Sequence, residues 1–294
     1  MTDRSGIRSA ELLVLLTVVI WGGNTSLVKW GIGGFNLFLF NAFRYIVATA
    51  TVGALFLRRA SWQPVQAGDW PRLIRLGIIA SVLYQIAFIV GLLYTSASNS
   101  LVLLSTSPLW TMVIHARMHG EKIVPRAWWG VILSFAGILL IIIASGKKPD
   151  PGNMELPGNL ISLGAAVLWG LNANLQKPLL ATYSPVQVSL VSSAVGALGL
   201  NIAALPVALH AGWGEISPTY YLVAVVSGSV SIATANVFYS VGVKRLGPAR
   251  IAPYSNLVPV VGVVIASIAL GEEFLPLQLA GSVVTVAGVW IARR

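Results

Sequence analysis

Trp21, Gly22, Asn24, Leu27 and Lys29 recur as Trp169, Gly170, Asn172, Leu175 and Lys177, a constant 148 residues further on (169 − 21). Leu12, Leu15 and Val19 hold the same register with Leu160, Leu163 and Val167. Later in each half, Pro108, Gly120, Glu121, Pro125, Gly130 and Gly137 return as Pro259, Gly271, Glu272, Pro276, Gly281 and Gly288, now at an offset of 151 (259 − 108). Gly77/Gly228, Gly91/Gly242 and Ala136/Ala287 keep that second register. Apolar chains match by accident at Leu and Val, but not without gaps at Gly, Pro, Glu, Trp and Asn. The chain is a duplication, and its fold must be built from two copies of one unit.

Composition says what surrounds the two copies. Of 294 residues, 56% are hydrophobic and only 10% charged, whereas a soluble domain is about one quarter charged. This chain belongs in a bilayer. No segment has the short apolar core and small-residue cleavage site of a secretory signal, so the N-terminus is expected to stay as the first transmembrane helix. Cysteine is absent, which excludes disulfides, thiolate metal sites and thiol nucleophiles. A formal charge of +10 would point to nucleic acid in a soluble protein; here the basic residues have to be placed first.

A hydrocarbon core about 30 Å thick takes roughly 20 apolar residues per helix. Ten such stretches are expected, near 10–30, 36–57, 71–94, 97–117, 125–145, 157–180, 185–209, 218–243, 247–270 and 275–292. With the N-terminus in the cytoplasm, the inside loops and tails hold fourteen of the 19 Lys and Arg, and the outside loops hold only Lys147 and Lys148. The positive-inside rule therefore predicts a multi-pass protein with both termini cytoplasmic. Five spans per copy is an odd number, so the second copy enters the membrane upside down, as an inverted repeat. The expected organisation is one five-helix repeat over 1–146, a periplasmic linker over 147–156 marked by Pro and Gly, and a second repeat over 157–294.

An apolar helix ending Trp-Gly-x-Asn with a Lys five residues after the Asn, followed later by a Pro helix, Gly-Glu, Pro and spaced Gly, resembles the EamA family of the drug/metabolite transporter superfamily. The resemblance spans essentially the whole chain and is greatest to the bacterial aromatic amino-acid exporter branch (YddG type). It implies an all-α integral membrane protein, with ten transmembrane helices as two inverted five-helix repeats around a central cavity. It also implies helices 5 and 10 packed at the periphery, and a bacterial cell inner membrane location.

Polar groups deep in a span are costly, so they mark candidate sites. Asn24 and Asn172 follow the Trp-Gly pairs near mid-span; they read as a pair of amides facing cargo, or as ties between neighbouring helices. Gln85 and Asn236 occupy equivalent positions, with Tyr84 and Phe88 beside the first and Tyr239 and Ser240 a turn beyond the second. Tyr84 and Trp169 lie too deep for the interfacial aromatic belt and read as wall residues or as core. Pro108 and Pro259 fall near mid-span and are expected to kink their helices. There they serve as hinges or as static bends, with Trp110, Tyr254 and Asn256 close by and able to reach cargo. Lys29 and Lys177 lie near helix ends, where they snorkel or gate. Arg44, a strong cation inside helix 2 with Asn41 one turn before it, reads first as a structural charge tied to backbone carbonyls, and second as a counter-ion for a substrate carboxylate.

The nine carboxylates fall in tails, loops or helix ends, so an ion-driven pump lacks its usual intramembrane acid. The expected function is amino-acid export, of aromatic and other neutral amino acids, by alternating access and facilitative or exchange rather than ion-driven. The same fold carrying a sugar phosphate or nucleotide sugar is the alternative, disfavoured because such anions want several converging cations. His115, His119 and His210 lie at span ends; His115 and His119 are four apart, which could suit a metal, but read as surface beside Arg117. No nucleophile–base constellation is present, so no enzyme, cofactor or metal is expected. The expected partners are the amino-acid substrate and the lipid bilayer, with no nucleic acid, in a monomer or homodimer.

Overall fold

The computed structural model describes residues 4–57, 63–94, 103–120, 122–144, 155–270 and 275–293, and every regular element among them is helical. In chain order α1 is Arg4–Gly31, α2 is Leu37–Leu57, and α3 is Trp70–Gly77, which continues through a π-helical stretch, Ile78–Leu83, into α4, Tyr84–Tyr94. Then come α5 (Ser107–His119), α6 (Pro125–Ala144), α7 (Glu155–Thr182) and α8 (Pro185–Ala208). The helix α9 (Pro218–Val226) passes through a second π-helical stretch, Ser227–Thr234, into α10 (Ala235–Leu246). A short α11 (Pro248–Ile251) and a 3₁₀ turn (Ala252–Asn256) lead to α12 (Leu257–Leu270), and α13 (Pro276–Arg293) ends the chain. The linker up to residue 154, Glu121, the Gly271-Glu272 pair and the side chains of Lys29 and His119 lie outside the described residues.

Several of these helices expose apolar stripes while burying polar side chains beside apolar ones. On α8, Leu198, Ile202 and Leu205 form an exposed stripe at helical spacing while Gln187, Ser189 and Ser193 are buried. On α13, Leu279, Val283, Val286 and Trp290 are exposed and Ser282 and Thr285 are buried. Exposed apolar stripes this long are stable against lipid tails, and the buried hydroxyls supply the ties between helices that lipid cannot. Among the described residues six helical stretches, including Leu37–Leu57, Leu156–Thr182, Pro185–Ala208 and Pro218–Leu246, are long and apolar enough to cross a membrane. Two more, Pro125–Ile141 and Pro276–Ala292, are apolar but shorter. The stretches expected at 97–117 and 247–270 do not form single long helices among the described residues, because each breaks just before its proline.

The chain forms two compact units, each drawing on both sequence halves: Met1–Leu83 with Leu175–Lys244, and Tyr84–Asn174 with Arg245–Arg294. In the first unit α2 packs on α8. Asn201 Nδ2 reaches Ala42 O at 3.4 Å, a methyl added at Gly196 would lie 2.6 Å from the Tyr45 ring, and one at Gly53 would meet Leu190. Partner numbers fall along α8 as they rise along α2, so the two run antiparallel. The two π-helical stretches, at matching positions of the sequence halves, close on this pair in the same way. A methyl at Gly77 would sit 2.6 Å from Val195 Cβ, and one at Gly228 3.1 Å from Val47 Cβ.

One end of this unit is held by polar groups. Tyr183 Oη donates to Asp69 Oδ2 at 2.8 Å and accepts from the Gln66 N–H at 3.1 Å. Gln187 Nε2 donates to Gln63 O at 2.7 Å, and Lys244 Nζ to Tyr183 O at 3.2 Å. The 63–69 segment and the turn between α7 and α8 therefore share one end. The other end is aromatic, with Phe35 5.2 Å from Tyr221 and 6.3 Å from Trp213, ring to ring. Because the Tyr183 hydroxyl bonds both the Asp69 carboxylate and the Gln66 N–H, Tyr183→Phe is expected to destabilise this end of the unit. A lowered thermal midpoint in detergent checks this, with Tyr220→Phe as the control.

In the second unit α6 packs on α13. A methyl at Gly130 would lie 2.6 Å from Gly288 O, and one at Gly281 2.6 Å from Gly137 O. Thr285 Oγ1 reaches Ser134 O at 3.4 Å. This pair too is antiparallel, and its two helices are equivalents in the duplicated sequence. A small core of Met112, Ala127, Val131 and Ala292 closes one end of it, with Leu109, Ile123 and Trp128 packed around.

Candidate functional site

In the first unit the candidate residues gather where α1 meets the π-helical stretch Ser227–Thr234. A π-helix skips one hydrogen-bond register and leaves carbonyls for other donors. Thr234 Oγ1 takes Ser229 O, five residues back, at 2.9 Å. Thr17 Oγ1 takes Ala235 O at 3.2 Å, and the Trp21 indole N–H takes Ser231 O at 3.3 Å. Asn24 Oδ1 accepts from Ser227 Oγ, so this amide is tied to the neighbouring element while remaining half-buried. The Trp21 and Tyr239 rings stand 5.5 Å apart. Asn236 is half-buried on the same segment, and Ser240 Oγ donates to Gln176 Oε1 at 2.7 Å.

In the second unit Trp169, Tyr84 and Phe88 form an aromatic group. The Tyr84 ring is 5.0 Å from Trp169, tilted, and 6.3 Å from Phe88, stacked. All three are half-buried, and Gln85, next in sequence, is buried. Just beyond Trp169 the α7 backbone meets α5 at Gly170, where a methyl would sit 2.7 Å from Thr111 N and 3.1 Å from Trp110 Cβ. Only glycine permits that approach. Trp110 is half-buried, its indole N–H donating to Thr106 Oγ1 at 3.2 Å.

Asn172 is buried, and two residues on lies Asn174, fully buried. Asn174 Nδ2 donates to Thr111 O at 3.0 Å and to Gly170 O at 2.9 Å, which leaves its Oδ1 facing His115 Nδ1 at 3.0 Å. His115 is 3% exposed. The surface position expected for it is incorrect: its helix turns that face inward onto α7, and Arg117, two residues on, points elsewhere.

Pro108 and Pro259 do not interrupt continuous helices. Each stands in the first turn of an α-helical segment, Pro108 in α5 after the turn at Ser105-Thr106, Pro259 in α12 after the 3₁₀ turn. A first-turn proline gives up an N–H that has no intrahelical partner anyway, so the break lies before the proline rather than at it. Inside that 3₁₀ turn Asn256 is spent on packing, donating to Ser134 Oγ at 2.6 Å. Tyr254 is 2% exposed, with its hydroxyl buried and without a partner. Lys177 is half-buried in α7, followed by a helix-interior Pro178.

Arg44 is 4% exposed in the middle of α2. Its Nη1 donates to Asn41 Oδ1 at 2.9 Å, and its guanidinium lies 5.4 Å from the Phe40 ring centroid. Both contacts are within its own helix rather than to carbonyls of a neighbour. Sequence reasoning missed Asn174, Gln176, Ser227 and Ser231. The only available signal was the run Asn172, Asn174, Gln176, three amides at alternate positions of one apolar helix.

Antiparallel helices with lipid-facing apolar stripes, interior amides and half-buried aromatics define a multi-pass membrane protein with polar sites inside its helix packing. The chain belongs to the EamA-like transporter family, which it matches over residues 8–143 and 156–294. It is 26% identical to a probable terminal-alkyne amino-acid exporter of Streptantibioticus cattleyicolor, over 98% of this chain and 94% of that protein. It is also 26% identical to a probable amino-acid metabolite efflux pump of Salmonella typhimurium, over 97% and 94%. A solved crystal structure shares the fold with a TM-score of 0.82 at 19% identity, covering 97% of this chain and 98% of that one.

Proposed function

We propose that this chain is a bacterial inner-membrane exporter of amino acids, aromatic and other neutral ones, working by alternating access as a facilitator or exchanger. In this reading it has ten spans as two inverted repeats, 1–146 and 157–294, with both termini cytoplasmic. The supporting geometry is that sequence-equivalent helices, α2 with α8 and α6 with α13, run antiparallel, as inversion requires. The observation that carries the cargo is the aromatic group Trp169–Tyr84–Phe88, half-buried beside the amides Gln85 and Asn172. Flat apolar faces next to hydrogen-bonding amides suit an amino acid with an apolar side chain, and relatives named for amino-acid export agree with that class. Asn24, Asn236 and Tyr239 in the first unit, with Trp110 and Tyr254 in the second, are the further residues assigned to cargo.

Purified protein in proteoliposomes, screened with labelled amino acids, is expected to take up L-phenylalanine saturably and with counterflow. Asn24→Ala and Asn172→Ala are each expected to lower that uptake about tenfold, on the loss of one or two hydrogen bonds to cargo. Normal uptake by both variants removes the amides from the site. Uptake that follows an imposed proton gradient and collapses with an uncoupler replaces the facilitative mechanism with a coupled one.

A further inference from the structure

The first unit holds a buried cation that its packing does not need. Arg44 carries five N–H donors, yet one neutral amide and one ring face are the contacts it makes, both from its own helix. Its Nε is buried with no partner. Arg44 has no ion pair among the described residues, whose printed pair, Arg72 with Asp69, lies at the unit's polar end, so none of the described carboxylates neutralises it. A cation held this way is costly unless something else compensates it.

The duplication shows what packing alone requires at this place. Arg44 is equivalent to Ser192 (192 − 44 is 148), and Ser192 makes a 2.9 Å hydroxyl bond to Ser81 across to the π-helical stretch Ile78–Leu83. The equivalent of Ser81 is Ile232 (232 − 81 is 151), which offers Arg44 no acceptor. A serine satisfies one copy of the fold, so the guanidinium in the other is surplus to structure. Its orientation is specific: Asn41 occupies Nη1, on the side away from Nε, while Asn41 Nδ2 is fixed on Leu37 O at 2.8 Å. That leaves Nε, which shares with Nη2 the parallel edge that grips a carboxylate through two bonds.

We propose that Arg44 is an anion-binding residue of the first unit that takes the carboxylate of the transported substrate on its Nε/Nη2 edge. The substrate part rests on the amino-acid reading above; the carboxylate site itself does not. The Ser227–Thr234 stretch packs on the Arg44 main chain, with Gly228 against Arg44 O, where a methyl would lie at 2.6 Å.

Two measurements test the assignment and separate it from the reading it rests on. The thermal midpoint of purified wild-type protein is expected to rise with acetate more than with chloride at equal ionic strength, and Arg44→Gln to remove the difference. Equal responses, or none, overturn the carboxylate site whether or not amino acids are transported. In proteoliposomes, L-phenylalaninamide is expected to compete with labelled L-phenylalanine about tenfold less well than the free acid, through loss of the charge-assisted pair. Arg44→Gln brings that ratio to about one, and Arg44→Lys, which keeps the charge without the fork, to an intermediate value. An unchanged ratio in either folded variant overturns the proposal. If no labelled amino acid enters wild-type vesicles, the amino-acid reading falls and the acetate measurement alone decides Arg44.

Discussion

Gly137→Val abolishes the folded protein: it is expected to purify as aggregate, or with a thermal midpoint too low to record, while Gly164→Ala on α7 behaves as wild type. A Cβ at position 137 would lie 2.5 Å from Gly281 O and 2.5 Å from the Thr285 backbone N. Both neighbours are main chain, so no rotamer change relieves the overlap. Buried bonds hold the two helices together at this point. Ser134 and Thr285, on either side of the contact, are fully buried, and Thr285 Oγ1 is bound to Gly281 O at 2.8 Å as well as facing Ser134 O. Parting the helices enough for a valine breaks those bonds and opens the contact at Gly130 and Gly288 one heptad away. Overpacking costs about 1–3 kcal/mol even where side chains can adjust, and here they cannot. Gly164 has nothing within 4 Å of an added methyl, so alanine there tests whether helix-interior glycine matters by itself. Size-exclusion profiles and melting curves of the two variants side by side decide the point; a monodisperse, stable Gly137→Val places the glycine stripe outside the helix contact.

That stripe is legible in the sequence itself, because Gly130, Gly137, Gly281 and Gly288 repeat at one offset and small residues at such spacing let helices approach. The pairing of 130 with 288 and 137 with 281 is not legible there, since antiparallel contact is a property of two helices and not of either. Most helices are legible because a long apolar run between Pro, Gly and charge can do little but form a helix in lipid, but the breaks before Ser107 and Leu257 are not. The π-helical stretches are not. Ile78–Leu83 has no Gly or Pro, and its pattern fits an α-helix equally well; the extra residue is accommodated by where its neighbours sit. For site residues the duplication acts as a filter. It singles out Asn24 with Asn172 and Pro108 with Pro259 as candidates, and it passes over Asn174, whose equivalent is Ser26. The surface reading of His115 fails because Arg117 and His119 give its turn a polar look, although a four-residue repeat says nothing of which face turns inward.

Asn174 is where the second large effect is expected. Its amide nitrogen serves two main-chain carbonyls, Thr111 O on α5 and Gly170 O on its own helix, and its oxygen receives His115 Nδ1. Because both amide hydrogens are committed to carbonyls, the oxygen must face the histidine, and His115 Nδ1 must carry the proton of that bond. Three groups buried in the second unit thus share one side chain as a partner. Asn174→Ala strips Thr111 O and Gly170 O of their second donors, takes the amide acceptor from His115 Nδ1, and opens a cavity where Gly170 already lies against Thr111. At about 1 kcal/mol for each of the three buried bonds lost, the loss is expected to be about 3 kcal/mol, enough to cost most of the folded yield. Asn174→Asp is expected to be nearly as damaging, because a carboxylate cannot donate and would face two carbonyl oxygens. His115→Gln keeps a donor for Asn174 Oδ1 and is expected to lose about 1 kcal/mol. Melting curves of the three variants in one detergent give the order. If His115→Gln is as unstable as Asn174→Ala, the histidine has a partner worth more than this amide, and the assignment of its ring proton has to be made again.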